Sequence, residues 1–410
     1  MYDETAPHVL FISNGHGEDE VGARVGEVVV RLRPDLRLAA LPVVGLGRPY
    51  ERVGIPRLEP RRELPSGGLL MHSLPLFLAD LQAGFLSLTL GQWQRLLFYR
   101  CASVVTVGDV YAQLLGSLTR ARHRFVVQTL VSAYHAQGLA FSTPNRMFME
   151  RITIPEQLLM SRARAVYVRD GATETALHDA GLKHARFLGN PIADRLEGRV
   201  PASLAGLKVV GLLPGSRSYR HEALAKMIEG IALLRGEGVV GAVAWIGGDL
   251  EPPVGWEAVA VAPNEEGLVS ELRKAGTRVL VYRARFADVL RAARVVVGTS
   301  GTANEQAVAV GRPVVAFPVP PYYSSTFLQN QKRLLGPALS VVGASDAEIA
   351  GAVQGWLDDP ATAERLAGQG RARIGGPGGS EAIARDVLRR LESYGAIPEI
   401  PEGLSAGGTG

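Results

Sequence analysis

The chain has 410 residues, with 44 basic against 40 acidic side chains and 47% hydrophobic residues. This length favours two domains, and the hydrophobic content is typical of globular proteins rather than of disordered chains. The single cysteine excludes an internal disulfide and a cysteine-based zinc site. The polar, acidic start is unlike a secretory signal peptide, so a cytoplasmic protein is expected.

The basic excess is concentrated in one part of the chain. Residues 81–169 contain ten Lys or Arg side chains against three Asp or Glu side chains. A surface of this charge suits anionic lipid headgroups or nucleic acid. Because no RNA- or DNA-binding motif is present, nucleic acid is not expected as a partner.

The most apolar stretch, Leu64–Tyr99, overlaps this basic region. Its uncharged runs, 64–79 and 81–94, are each shorter than the roughly 20 residues that cross a bilayer, so no membrane span is predicted. Two interpretations remain: helices packed in a domain core, or an apolar patch that dips into the membrane interface. In the second case, peripheral membrane contact is expected within residues 64–169.

The N-terminal half opens with a strand, a glycine-rich turn and a helix, which is how a Rossmann-like domain begins. The strand is predicted at His8–Ser13 and the helix from about Asp19 to Arg33. The turn reads Asn14-Gly15-His16-Gly17-Glu18-Asp19. His16 is therefore predicted in a turn, where it is either solvated or reaches a crevice beyond the strand.

A carboxylate follows another buried strand of this half. Ser103–Val107 is predicted to be a strand, and Gly108 and Asp109 come directly after it. Asp109 is then placed to point into the crevice where α/β proteins bind ligands. It is equally placed to cap the helix predicted at Val110–Leu118, and the two roles are compatible.

The second half repeats the same logic after a polar segment. Residues 195–206 are predicted to be the interdomain linker. Lys208–Leu213 is a predicted strand, and Pro214-Gly215-Ser216-Arg217 is the turn after it. Further strands and helices give a βαβαβ pattern, so a second Rossmann-like domain is expected.

A second strand–helix turn lies at Val295–Pro318, where a β-branched run ends at Gly298. Thr302 and Glu305 have the spacing of a capping box, which predicts that the helix begins at Thr302. Gly298 and Gly301 let the backbone approach a ligand, and the helix start favours an anion. The pattern is neither a GxGxxG fingerprint nor a P-loop.

These two turns support each other if their strands belong to one sheet. Arg217, on a glycine turn at a strand end, suits bidentate binding of a diphosphate. The helix dipole and the backbone N–H groups near Gly301 would share the same charge. Glu305 could accept hydrogen bonds from a ribose diol. A nucleoside-diphosphate site is therefore predicted.

The turn Leu213–Arg217 (Leu-Pro-Gly-Ser-Arg) and the segment Ser300–Glu305 (Ser-Gly-Thr-Ala-Asn-Glu) resemble motifs of the lipid-A-disaccharide synthase family. More loosely, the chain is similar to the lipid-linked GlcNAc transferase of peptidoglycan synthesis. The resemblance covers residues 8–395 in outline, and only these two motifs are specific. It implies a GT-B fold, in which two Rossmann-like domains face each other across a cleft.

The resemblance also implies a hexosyltransferase activity and a set of roles. A UDP-sugar donor would bind the C-terminal domain and a lipid or lipid-linked acceptor the N-terminal domain, with no required metal or cofactor. The implied donor-site residues are Gly215, Ser216 and Arg217 for the diphosphate, Ser300, Gly301 and Thr302 in its loop, Glu305 at the ribose, and Gln329 with Asn330 downstream. In the N-terminal domain, Asp109 matches the family's candidate catalytic aspartate.

The first loop departs from the lipid A enzymes, which carry Gly-Glu-Ala-Ser-Gly-Asp where this chain has Asn14–Asp19. A histidine in this loop resembles instead the first loop of the peptidoglycan and glycolipid transferases. Asn14, Gly15 and Gly17 are expected to line the acceptor site, and either His16 or Asp109 to act as the base. Two alternatives stay open: a GT-B UDP-sugar epimerase, and a non-catalytic nucleotide-sugar-binding protein.

The predicted domain division follows from these elements. Residues 1–194 form the acceptor domain and residues 207–379 the UDP-sugar domain. Residues 380–396 form a C-terminal helix that would pack back on the first domain, and residues 397–410 a disordered tail.

Overall fold

A computed structural model describes residues 6–62, 81–136, 152–248, 250–261, 266–320 and 323–398. Contacts divide the chain into two compact units, residues 1–191 with 378–410 and residues 192–377. Almost all of the predicted tail 397–410, and the apolar run 64–79, lie outside the described residues.

The described residues of the first unit contain a parallel sheet. Its strands are β1 (Val9–Ser13), β2 (Leu38–Pro42), β3 (Ser103–Val107), β4 (His123–Gln128), β5 (Ala165–Val168) and β6 (Ala185–Arg186). They lie in the order β2-β1-β3-β4-β5-β6. β1 and β3 are buried along their whole length, as expected of apolar strands covered on both faces. The strand predicted at Phe125–Val131 ends early, because the Gln128 side chain accepts the N–H groups of Leu130 and Val131 and turns the chain.

The described residues of this unit contain several α-helices before residue 192. They are α1 (His16–Leu32), α2 (Arg48–Arg52), α3 (Phe85–Leu97), α4 (Val110–Leu118), α5 (Ile154–Met160) and α6 (Gly171–Asp179). α4 packs against both α3 and α5. α3 buries Leu88, Gln92 and Leu96 on one face. The prediction that the apolar stretch packs in a domain core therefore holds for this face of α3. The opposite face exposes Leu86 and Leu90.

The second unit contains a mixed sheet of eight strands. They are β7 (Lys208–Leu213), β8 (Val239–Trp245), β9 (Glu257–Ala260), β10 (Leu268–Lys274), β11 (Thr277–Arg283), β12 (Val295–Gly298), β13 (Val314–Ala316) and β14 (Leu339–Val341). Their order is β14-β13-β12-β7-β8-β11-β10-β9. β9 and β10 add an antiparallel edge that the sequence analysis missed. β9 has only four residues, and β10 contains Glu271, Arg273 and Lys274, so neither has the apolar run of a central strand.

The helices of this unit cover its sheet. They are α7 (Arg220–Ala232), α8 (Phe286–Ala292), α9 (Gly301–Ala309), α10 (Ser325–Leu335), α11 (Asp346–Asp358) and α12 (Pro360–Ile374). The sequence analysis did not predict α12. Its start signal is present, since Asp359 accepts the Thr362 N–H over 3.0 Å and Pro360 is the first helical residue. Its buried face is mostly small, with Ala363 and Ala367, so it gave only a weak periodic signal.

The last helix, α13 (Gly379–Ser393), belongs to the first unit, where it packs against α1. A buried carboxylate fixes it to the sheet: Tyr167 OH on β5 donates to Asp386 Oδ2 over 2.8 Å, and Arg390 Nε donates to the same oxygen over 2.7 Å. Burial alone would raise the pKa of Asp386, but the hydrogen bonds from Arg390 and Tyr167 hold it below its ordinary value.

In the part of the chain that the structure describes, no helix combines the length and the apolarity needed to span a bilayer.

Replacing Asp386 by Ala is expected to lower the free energy of unfolding by about 3 kcal/mol, because it leaves Tyr167 OH and the Arg390 guanidinium without their buried partner. Urea denaturation measures the change. Glu381→Ala on the same helix is the control, since its pair with Arg31 is solvent-exposed and should contribute less than about 1 kcal/mol. Equal effects of the two changes would contradict the anchoring role of Asp386.

Candidate active site

In the second unit, the chain switches direction across the sheet between β7 and β12. β7 pairs with β8 on one side and with β12 on the other, so the connections after β7 and β12 leave toward opposite halves of the sheet. Open α/β sheets bind ligands at such switch points, outside the carboxyl ends of the strands. Leu213 ends β7 directly opposite Gly298, which ends β12. The Arg217 turn and the loop before α9 therefore begin side by side.

Hydrogen bonds join these two loops. The Thr299 N–H donates to Leu213 O over 3.1 Å, and Thr299 Oγ1 donates to Pro214 O over 3.2 Å. Tyr219 OH donates to Thr299 O over 2.8 Å. Thr299 is fully buried, so three bonds hold one loop to the other without exposure to competing water.

The turn after β7 leaves a cation available. Gly215 has a left-handed φ of +82°, and a Cβ there would stand 3.3 Å from Ser300 Cβ, so the two loops touch. Ser216 and Arg217 follow and are exposed. Within the described residues, the Arg217 guanidinium makes no hydrogen bond or ion pair. It is thus available to an anion.

The predicted start of the second helix was wrong by one residue and in its chemistry. α9 begins at Gly301 with Ser300 as its N-cap residue, and no side chain makes a capping hydrogen bond. Thr302 lies inside the first turn, so it does not form a capping box with Glu305. The first backbone bond of the helix is from the Asn304 N–H to Ser300 O over 3.0 Å. The preceding N–H groups have no acceptor within the helix, which suits an anion.

A network of buried side-chain hydrogen bonds holds the loop before α9 in place. Asn304 Nδ2 donates to Gln331 Oε1 over 3.0 Å, and Tyr323 OH donates to the same oxygen over 2.7 Å. Gln331 Nε2 then donates to Gly301 O over 2.8 Å. The sequence analysis missed all three side chains, although Asn304 lies within the quoted Ser300–Glu305 motif.

The downstream pair proposed from the resemblance lies elsewhere on α10. Gln329 is exposed, and Asn330 Oδ1 accepts a hydrogen bond from Arg333 one turn later, over 2.9 Å. Gln331, the next residue, is the one that contacts the loop. Glu305 lies on α9 and is partly buried.

The first unit has the same arrangement between β1 and β3. β1 lies between β2 and β3, and Ser13 at its end is opposite Val107 at the end of β3. Asn14 Nδ2 donates to Asp109 Oδ1 over 2.5 Å and so links the residues that follow the two strands. Gly108 makes this possible with a left-handed φ of +126°.

Asp109 caps α4, as predicted. Its Oδ1 accepts the N–H of Tyr111 over 2.9 Å and that of Ala112 over 3.4 Å, in addition to the Asn14 amide. Burial raises the pKa of Asp109, and these donors counteract the rise. The carboxylate therefore lies at the switch point and is held in one orientation.

The sequence predicted His16 in a turn, but His16 is the first residue of α1. The helix begins three residues earlier than predicted. Gly15 is the N-cap residue in extended conformation. The His16 ring is exposed and lies against Gly45, where a Cβ would stand 2.7 Å from His16 Cε1. Gly17 is exposed, and a Cβ there would meet no atom within 4 Å.

Three further carboxyl groups of this unit were not singled out from the sequence. Burial raises the pKa of Glu18, Asp19 and Glu156 to about 7 in each case. Asp19 accepts a hydrogen bond from Ser13 Oγ over 2.5 Å. Glu18 and Asp19 lie in the first turn of a helix that directly follows a strand, and this position could have marked them as candidate site residues. Glu156 lies far along the chain and carried no such signal.

Solved structures share this architecture along nearly the whole chain. CalG4, the calicheamicin glycosyltransferase, matches with a TM-score of 0.61 at 16% identity, covering 95% of this chain and 99% of that chain. MurG of Acinetobacter baumannii matches with a TM-score of 0.56 at 11% identity, covering 93% and 99%. UDP-GlcNAc 2-epimerase of Neisseria meningitidis, solved with UDP-GlcNAc bound, matches with a TM-score of 0.54 at 14% identity, covering 94% and 99%.

These similarities confirm the predicted fold, two Rossmann-like α/β units of the GT-B class. No protein-family model matches the sequence, and no curated protein matches it. At these identities the similarity concerns the fold alone.

Replacing Gln331 by Ala should lower the free energy of unfolding by about 2 kcal/mol, because Asn304 and Tyr323 OH lose a buried hydrogen-bond partner. Urea denaturation measures the change. Asn330→Ala is the matched control, since its bond to Arg333 is only partly buried and its loss should cost less. Equal or reversed effects would mean that Gln331 does not support the loop.

Proposed function

We propose that the protein is a glycosyltransferase that moves a hexosyl group, of the N-acetylglucosamine type, from a UDP-sugar to a lipid or lipid-linked acceptor, as lipid-A-disaccharide synthase does. One observation carries the proposal: at the switch point of the second unit, a glycine turn with an exposed arginine meets a helix N-terminus that no side chain caps. This combination suits the two negative phosphates of a nucleoside diphosphate.

The donor end is assigned as follows. Arg217 binds the diphosphate through its planar guanidinium, and the N–H groups of Gly301 and Thr302 bind it at the positive end of the α9 dipole. Gly215 and Ser216 let the turn approach the phosphates, and Ser300 has a hydroxyl that is not used in capping. Glu305 accepts hydrogen bonds from the ribose. These groups stabilise the negative charge that develops on departing UDP.

The acceptor end is assigned to the first unit. Asn14, Gly15 and Gly17 line the loop after β1, and the candidate bases are Asp109 and His16. The base takes a proton from the acceptor hydroxyl, whose oxygen attacks the anomeric carbon of the sugar. Asp109 lies at the switch point, where Asn14 and the N–H group of Tyr111 hold its carboxylate in one orientation.

A lipid acceptor is supported by the outer face of α3. Leu86 and Leu90 are 62% and 61% exposed, and Phe98, just after the helix, is 74% exposed. On the neighbouring α4–α5 side, Ile154 and Leu158 of α5 are also exposed. Single exposed apolar side chains are normal, but a row of them along one helix indicates an interaction surface.

The charges around this face are complementary to a membrane. In the described residues from 81 to 164, the acidic side chains are Asp109, which caps α4, and the buried Glu156. The exposed charges of the same residues are arginines, such as Arg95, Arg100 and Arg162. Exposed apolar side chains beside basic ones suit an anionic lipid surface. We therefore place the protein in the cytoplasm, at the inner face of the membrane.

A UDP-sugar epimerase is the second candidate, and the similarity to the epimerase solved with UDP-GlcNAc favours it. It would use the same donor site and the same carboxylates, but it needs no acceptor and no membrane face. Incubation with UDP-GlcNAc alone separates the two activities. A new sugar nucleotide seen by NMR, without UDP release, identifies an epimerase, whereas UDP release that depends on an added lipid acceptor identifies a transferase.

Arg217→Ala is expected to weaken UDP binding about 10- to 100-fold, because a charge-assisted bond to phosphate contributes about 1.5–3 kcal/mol. Isothermal titration calorimetry measures the affinity. Arg365→Ala, at an exposed arginine on α12, controls for the loss of one positive charge. Unchanged affinity in the Arg217 variant would remove the proposed phosphate site.

The double change Leu86→Ser and Leu90→Ser should reduce binding to vesicles that contain anionic lipid at least tenfold, since burying each leucine is worth about 1.5–3 kcal/mol. Co-sedimentation with vesicles measures binding. Val254→Ser is the control, because Val254 is 98% exposed in the other unit. If the wild type does not bind these vesicles, or if the double variant binds as well as the wild type, the α3 face is not a membrane surface.

A further inference from the structure

A further carboxyl group of the first unit fits the role of base better than the two candidates, Asp109 and His16. We infer that Glu18 is the catalytic base that takes the acceptor's proton, and that Asp109 is a fixed anion beside it. The inference rests on the proposed function only in that the reaction must need a proton acceptor in the first unit.

Glu18 lies at the switch point between β1 and β3. It lies in the first turn of α1, and a Cβ on Gly15 would stand 2.2 Å from Glu18 Oε2. A Cβ on Gly108, just beyond β3, would stand 3.4 Å from Glu18 Cγ. The carboxyl group therefore lies beside Gly15, the N-cap residue of α1, and the Cγ atom lies near Gly108, which follows β3. A side chain at position 15 would force the Glu18 carboxyl group to move.

Asp109 is less suited to be the base. Its Oδ1 accepts hydrogen bonds from Asn14 Nδ2 and from the N–H groups of Tyr111 and Ala112. Donors of this kind stabilise the ionised carboxylate and make it a weaker proton acceptor. Moving Asp109 to meet a substrate would also break the cap of α4. The negative charge of Asp109 instead helps to raise the pKa of Glu18.

His16 lies on the other side of β1. Its ring contacts Gly45, in the segment that follows β2, whereas β3 lies on the opposite side of β1 in the sheet. The switch point is between β1 and β3, so this contact lies on the other side of β1 from the crevice that the topology indicates. Glu18, in contrast, lies near Gly15 in the loop after β1 and near Gly108, which follows β3.

The protonation of Glu18 agrees with this role. Burial raises the pKa of Glu18 to about 7. A hydrogen bond from its own backbone N–H opposes this rise, the negative charge of Asp109 adds to it, and Arg169 opposes it. A base with this pKa is substantially ionised at neutral pH and still accepts a proton strongly. Two carboxyl groups whose surroundings give them different proton affinities commonly divide acid–base roles in this way.

The step balances with this assignment. The acceptor O–H bond breaks and its proton passes to a carboxylate oxygen of Glu18. The acceptor oxygen forms a bond to the anomeric carbon, and the bond from that carbon to the diphosphate oxygen breaks. Its electron pair leaves on UDP, near Arg217 and the α9 N-terminus. Protonated Glu18 then releases the proton to solvent.

A purely structural role is the alternative. Glu18 is the third residue of α1, where a carboxylate commonly bonds back to the backbone at the N-cap. Glutamine keeps a side-chain oxygen for that bond but cannot take the proton. Glu18→Gln therefore separates catalysis from capping. Glu20→Gln on the same helix is the matched control, because Glu20 pairs with Arg24 and Arg52 outside the switch point.

The test compares wild type and both variants across pH 5.5–8.5, with UDP-sugar in the presence and absence of lipid acceptors. UDP release and new sugar nucleotides are both followed, so that transfer, hydrolysis and epimerisation are all detected. Glu18→Gln should lower kcat at least about 100-fold with little change in KM for the UDP-sugar, and should lose the rise in rate near pH 7. Glu20→Gln should match the wild type.

Each result decides a different point. An active wild type whose Glu18→Gln variant keeps its rate and pH profile overturns the assignment of Glu18 and leaves the proposed function standing. A Glu18→Gln variant that loses activity only because it unfolds, as seen by thermal denaturation, assigns Glu18 a structural role and also overturns it. A wild type with no turnover of any UDP-sugar overturns the proposed function, and the assignment of Glu18 falls with it.

Discussion

The pairing of β7 with β12 is the constraint on which the proposed donor site depends. Because Leu213 is opposite Gly298, the turn with Arg217 and the start of α9 emerge from neighbouring strand ends, and Thr299 joins them through buried hydrogen bonds. A shift of this register by one residue would bury the wrong side chains and separate the arginine from the helix start. The positive charge at this edge is therefore a consequence of sheet topology, and no binding residue has to reach across the unit.

Both units have an asparagine packed against a glycine beside the switch point. A Cβ on Gly108 would stand 2.0 Å from Asn14 Oδ1, and a Cβ on Gly298 would stand 1.9 Å from Asn304 Oδ1. Each amide oxygen is buried and accepts no hydrogen bond from the described residues, while each Nδ2 donates to a neighbour, Asp109 in one case and Gln331 in the other. An unpaired buried acceptor costs about 1–3 kcal/mol. Proteins tolerate such costs chiefly at functional sites.

Most of the fold followed from local pattern. The buried runs at Ser103–Val107 and Lys208–Leu213 have the observed bounds, because parallel strands covered on both faces are apolar throughout. The short, charged edge strand Glu257–Ala260 was missed because its pattern resembles a loop. The glycine turn after β7 and its arginine were predicted because a glycine-rich strand end followed by a cation is visible in a sequence, and the structure has this turn with Arg217 exposed. Gln331 was not predicted, since its role comes from a tertiary contact with a loop 30 residues away.

A crystal structure of the protein with UDP tests the central claim most directly. The account predicts a diphosphate at the junction of the two loops, bonded by the Arg217 guanidinium and by backbone N–H groups of Gly301 or Thr302, with the ribose near Glu305. A diphosphate bound at another edge of the second unit, with the Arg217 side chain directed into solvent, would contradict it.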